Sequence, residues 1–249
     1  ILMRLSGTLK GFIGKERHLH VKGILPEIEV AEIRNSFWDI FPDSLLYIGL
    51  HGSISSEISA NYGKAGLELN GTLQIKDCIL EGENGEYSIG PINGTLPIAY
   101  GKGQEKQGVR MPSFEKSQFD DLRNYYEKKP MEEGLHRVTI GSLTYGFRLL
   151  ENIDLLVKQK ENILSIEHFN ANIFGGSLNG SVEINMSNGI HYRAGFLVRG
   201  LSLKALCDNI EPIKGFISGK VDGIASFRGA GSDISTLIGM ADFWTYRTG

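Results

Sequence analysis

Cysteine, proline, basic charge and long apolar runs are all scarce in this chain, and each scarcity removes a class of protein. There are 2 cysteines and 7 prolines in 249 residues. Cys78 and Cys207 lie far apart and belong to no metal-ligand spacing, so disulfide-scaffold and zinc-site readings fail, and whether the two pair stays open. No run approaches the roughly 20 apolar residues that a membrane-spanning helix needs. The opening Ile1-Leu-Met-Arg-Leu-Ser-Gly7 lacks a signal-peptide layout and passes at once into a strand pattern over 5–13, the mark of a piece cut from a longer protein. Lys and Arg number 26 against 29 Asp and Glu, a net charge of −3, so no nucleic-acid partner is expected.

Reactive signatures are equally thin. His18-x-His20 puts two imidazoles on one strand face, but no third ligand stands nearby, and no metal is expected. Asp120-Asp121 and Glu132-Glu133 are adjacent carboxylates in polar sequence, a pattern of solvated surface. There is no Gly-x-Ser-x-Gly elbow, and the glycine-rich run 101–108 is not followed by the Lys-Ser or Lys-Thr of a phosphate loop. No catalytic residue and no cofactor are expected.

What the chain does have is alternation. Ser177-Leu-Asn-Gly-Ser-Val-Glu-Ile-Asn-Met186 places Leu178, Val182, Ile184 and Met186 on one side of an extended strand and polar residues on the other. Leu67, Leu69, Leu73 and Ile75 repeat the pattern over 67–76, and Leu19 and Val21 repeat it near the start. Thirty-two glycines sit within these runs and at turns, with Asn84-Gly85 and Asn188-Gly189 suited to tight hairpins. Asn70-Gly71 and Asn179-Gly180 fall inside clean alternation, at bulges or bends. The reading is an all-β fold: a long curled antiparallel sheet, an open groove, with a few short helices.

One helix is expected over 26–41, with Pro26 in its first turn. The pattern stops between 97 and 134, which reads as a polar linker with a possible helix over 117–128. Residues 1–96 then form a first β-groove unit and 135–249 a second. The two resemble each other: Gly7-Thr-Leu-Lys-Gly11 matches Gly176-Ser-Leu-Asn-Gly180, Ile28–Ile33 matches Leu201–Leu206, and Leu50–Ile54 matches Ile217–Val221.

The segment from Val138 to Trp244 resembles a known family. Ile140-Gly-Ser-Leu-Thr-Tyr-Gly146, the alternating strand ending Phe174-Gly-Gly176, Ser177-Leu-Asn-Gly180, Gly200-Leu-Ser-Leu-Lys-Ala-Leu206 and Gly215-Phe-Ile-Ser-Gly219 stand in the order of the C-terminal region of AsmA-like proteins. The last 110 residues or so carry the likeness well, and residues 5–92 carry a fainter copy. The resemblance implies a periplasmic segment of a Gram-negative envelope protein, related to bacterial bridge-like lipid-transfer proteins and anchored in the inner membrane by a region upstream of this sequence. It also implies outer-membrane partners and a role in phospholipid movement and envelope assembly.

The energetics suit that role. Each methylene exposed to water costs about 0.8 kcal/mol, so a sixteen-carbon chain crossing bare solvent faces about 12 kcal/mol. About fourteen strands spaced 4.8 Å apart would build an apolar trough of about 65 Å. The expected lining is Leu67, Leu69, Leu73 and Ile75 in the first unit, with Leu155, Val157, Ile166, Leu178, Val182 and Ile184 in the second. The ligand is then phospholipid or another acyl chain. A different class of function is a scaffold for outer-membrane assembly acting by strand addition. A third is a carbohydrate-processing enzyme, which needs two carboxylates about 5–10 Å apart in a groove.

Overall fold

The computed structural model describes residues 4–10, 18–36, 48–64, 66–82, 85–101, 134–187, 189–231 and 238–248. The strands are β1 (Arg4–Lys10), β2 (His18–Glu29), β3 (Gly49–Gly63), β4 (Gly66–Glu81), β5 (Tyr87–Tyr100), β6 (His136–Tyr145), β7 (Phe147–Lys160), β8 (Ile163–Ile173), β9 (Gly176–Asn185), β10 (Ile190–Ser202), β11 (Lys220–Gly231) and β12 (Ile238–Thr248). They form one 12-stranded sheet in chain order, each strand antiparallel to the next. No pairing joins β1 to β12 among the described residues, so the sheet is open. Twelve strands at about 4.8 Å spacing make it about 53 Å wide, shorter than the trough expected from fourteen.

Two short helices, α1 (Val30–Ser36) and α2 (Leu203–Cys207), follow β2 and β10. The helix expected over 26–41 is corrected: Pro26 belongs to β2, at a register shift between Leu25 and Ile28, after which Ile28 and Glu29 pair with Ile54 and Ser53. Proline has no N–H for the ladder, and a bulge is where a strand tolerates that lack. Residues 37–41 and the possible helix over 117–128 lie outside the described residues. The motif Gly215–Gly219 stays outside β11, which begins at Lys220, because Gly215 (φ 77°) and Gly219 (φ 124°) take left-handed backbone that breaks an extended run. Gly71 and Gly180 lie within strands, but neither bulges: β4 keeps register from Leu69 to Ile75, and the shift opposite β9 is on β8. β5 continues to Tyr100, past the expected end of the first unit at 96, and pairs onward with β6, the first strand of the unit expected over 135–249, so one ladder runs through both.

The two halves share a register feature. β2 shifts between Leu25 and Ile28 before α1, and β10 shifts between Val198 and Leu201 before α2. Ile28 pairs with Ile54 as Leu201 pairs with Val221. The match of Gly7 with Gly176 is out of step, however. Val21 faces Gly7, and its counterpart Ala194 faces Val182.

Bulges explain the curl. Register shifts lie side by side across the sheet, at Leu25/Ile28 between β2 and β3, at His51/Ser53 between β3 and β4 and at Ile75/Cys78 between β4 and β5, the extra residue falling on β2 in the first and on β4 in the other two. Each bulge bends its strand and adds twist, so a row of them creases the sheet along one line. Side chains pin the crease on the outer face. Ser53 Oγ donates to Glu27 Oε1 at 2.7 Å, Lys76 Nζ meets the same oxygen at 3.1 Å, and Asp77 N donates to Asn93 Oδ1 at 2.8 Å.

Candidate functional site

Register decides which side chains share a face, since residues directly opposite in a ladder project to the same side. Tracing it from strand to strand places Leu67, Leu69, Leu73, Ile75, Leu155, Val157, Ile166, Leu178, Val182 and Ile184 together on one face. Leu9, Leu19, Val21, Ile54, Ile58, Leu96, Ile140, Phe196 and Phe227 join them, so the apolar face runs unbroken from β1 to β11. Of the expected lining only Val157 is buried, at 2% exposure, and the others are half-buried or, like Leu67, exposed. A second packed layer would have sealed them.

The face is not uniform. Along one long edge of the first unit, Leu9, Leu19, Tyr62 and Leu67 stand in one register row, all exposed. In the second unit Val138, Ile153, Val157, Ala171 and Ala194 are buried in its floor. Phe169, Phe196 and Phe227 make an edge-to-face ladder there, with centroids 5.4 and 6.1 Å apart. Gly180 separates the first two rings, and a Cβ on it would run into Phe196. Alternation in the sequence does not reveal this ladder, which depends on three strands meeting in register.

The opposite face also departs from expectation. Asn179, Ser181 and Glu183, read as solvated, are buried, while their apolar neighbours Leu178, Val182 and Ile184 are only half-buried. These polar side chains are enclosed by their neighbours in the ladder. Asn179 lies beside Leu197, and Glu183 lies between Ser165 and Arg193, with Arg193 Nη2 3.0 Å from its Oε1. Leu197 and Ile224, paired on that face, are 1% and 2% exposed. A second hydrophobic cluster therefore lies behind the groove in this half.

The polar candidates are scattered among the described residues. His18 and His20 share a face, but His20 Nδ1 bonds Asn61 Oδ1 at 2.7 Å, and no cluster of three metal-binding side chains occurs among the described residues. Asp120, Asp121, Glu132 and Glu133 lie outside the described residues. Both cysteines are free thiols. Burial pushes the Cys78 thiol above its ordinary value, which keeps it protonated, and it lies 3.5 Å from the Ser53 carbonyl. No described helix is long and apolar enough to cross a membrane.

No family model, curated protein or solved structure matches the chain.

Proposed function

We propose that this chain is a periplasmic segment of an AsmA-like envelope protein whose apolar sheet face carries phospholipid acyl chains between the inner and outer membranes. The observation that supports this reading best is the single apolar face continued through eleven strands with most of its side chains still open to a ligand. An apolar surface of that extent on a soluble protein calls for a partner, since contiguous exposed patches rarely exceed a few hundred Å². Acyl chains fit because they need continuity and low polarity rather than directed hydrogen bonds. Headgroups would stay in water along the open side, so transfer would require no enzymatic step and no cofactor.

The test is mass spectrometry of lipid that co-purifies with the protein, run beside Leu73→Asp and Val182→Asp. Phospholipid is expected with the parent chain and should fall by about tenfold or more in each variant, since a buried carboxylate in the trough costs well over 1.4 kcal/mol. A parent chain that carries no lipid and takes up no fluorescent acyl probe rejects the reading. The scaffold alternative draws on a separate observation: every residue of β1 is exposed, and among the described residues no strand pairs with its outer edge, which suits strand addition. Cross-links from β1 to outer-membrane barrel proteins, with no bound lipid, would favour that alternative.

A further inference from the structure

We propose that Arg193 and Arg228 form a phosphate-binding clamp on the polar face of the sheet, separate from the apolar groove. β10 and β11 bring the two arginines directly opposite each other. In such a pair the Cβ atoms lie about 4.5–5.5 Å apart, and like charges placed so repel. The partnering around them is unequal. Arg193 Nη2 meets Glu183 Oε1 at 3.0 Å, whereas Arg228 has no hydrogen-bond or ion-pair partner among the described residues. Together with Asn185, His191 and Tyr192 they border a cleft of about 590 Å³. Glu183 offsets one of the two fixed positive charges, leaving an excess cation where two arginines face each other and line one cleft.

The duplication supplies the control. By the same register, the positions of Arg193 and Arg228 are held in the first unit by His20 and Asn61, which also face each other. There the two satisfy one another through a 2.7 Å hydrogen bond, and Thr8 stands where the second unit has Glu183. One copy thus has a pair closed on itself and the other an open pair of arginines on the same sheet edge. Guanidinium groups grip phosphate oxygens in pairs, with charge-assisted bonds stronger than those a neutral pair makes. A phosphate group, on a lipid headgroup or on a soluble phosphate, answers the repulsion between the arginines and gives Arg228 its partner.

The experiment compares the parent chain with Arg228→Gln by calorimetric titration with inorganic phosphate, and by flotation on phosphatidylcholine vesicles with and without phosphatidylglycerol. Arg228 is exposed, so its replacement leaves the fold intact, and Arg228→Lys, which keeps the charge but loses the fork, provides an intermediate. Binding is expected to weaken by about tenfold in Arg228→Gln, the worth of one charge-assisted contact. A loss seen with inorganic phosphate assigns the clamp to soluble phosphate. A loss confined to vesicles containing phosphatidylglycerol assigns it to a headgroup. Grafting the clamp onto the first unit as His20→Arg with Asn61→Arg should add a second site. Equal binding by parent and Arg228→Gln in both assays, or no binding by the parent in either, overturns the proposal.

Discussion

The two copies of the β–α–β unit keep the same inner face and diverge on the outer one. Inside, Ile28 with Ile54 corresponds to Leu201 with Val221, and Val21 with Ala60 corresponds to Ala194 with Phe227. Outside, Ile24 faces Glu57 and is 40% exposed, whereas the matching pair Leu197 and Ile224 is almost fully enclosed. Lys22, ion-paired with Glu57 in the first copy, becomes Gly195 in the second. An outer face that has changed from solvated to packed beside an inner face that stays apolar in both copies puts the shared constraint on the groove. The second copy has gained a core behind it, so stability should be concentrated there and openness in the first copy.

The largest test of that division is truncation on the outer face. Leu197→Ala and Ile224→Ala should each cost about 2–5 kcal/mol, as fully enclosed aliphatic side chains do. Ile24→Ala, at the matching place in the first copy, should cost less than about 1 kcal/mol because water already reaches the side chain. Urea unfolding midpoints measure both, and equal losses would dissolve the contrast.

A smaller test uses a reversal of large and small residues between the copies. Leu5 faces Gly23 in the first unit, and at the matching place Gly180 faces Phe196 in the second. In each case one glycine makes room for one large side chain. A Cβ on Gly180 would collide with the Phe196 ring, whereas one on Gly23 would meet Leu5 Cδ2 at 3.4 Å, an ordinary contact with a flexible end. Gly180→Ala should therefore destabilise by about 1–3 kcal/mol, and Gly23→Ala should leave thermal stability unchanged or slightly raised.

These pairings also show how far the sequence could be read. Period-2 alternation exposed the strands and the apolar face because one-sided burial imposes it, and the alternating run 177–186 falls on β9 (Gly176–Asn185). Alternation is blind to what happens at a bulge, where the side-chain phase resets. Pro26 therefore looks like a helix start in sequence, although the strand resumes at Ile28. Nor does it say how much cover a polar residue gets. Asn179, Ser181 and Glu183 look solvated in sequence yet are buried, Asn179 beside Leu197 and Glu183 beside Arg193 in the ladder. The Arg193–Arg228 pair was equally hidden, since only the β10–β11 register brings residues so distant in sequence into opposition.

The mildest effect should come from the crease, which the two copies pin by different means. In the first, Glu27 at the bulge accepts from Ser53 and Lys76, while in the second the matching Gly200 donates its N–H to Asp222 Oδ1 at 2.6 Å. The Ser53 hydroxyl first, and then Lys76, holds the Glu27 carboxyl below its ordinary value near 4.5. Glu27 holds Lys76 above its ordinary value near 10.5. A lowered carboxyl contributes stability above its unfolded value and loses it as pH falls through the folded one. A raised ammonium contributes below its unfolded value and loses it as pH rises through the folded one. The pair should therefore act fully at neutral pH and fade at both extremes. Melting curves of parent and Glu27→Gln should differ slightly at pH 7 and converge in acid, below the ordinary carboxylate range. Added salt should narrow the gap at pH 7, because both groups are exposed. A gap that persists unchanged into acid would mean that the variant disturbs the bulge itself rather than the charge on it.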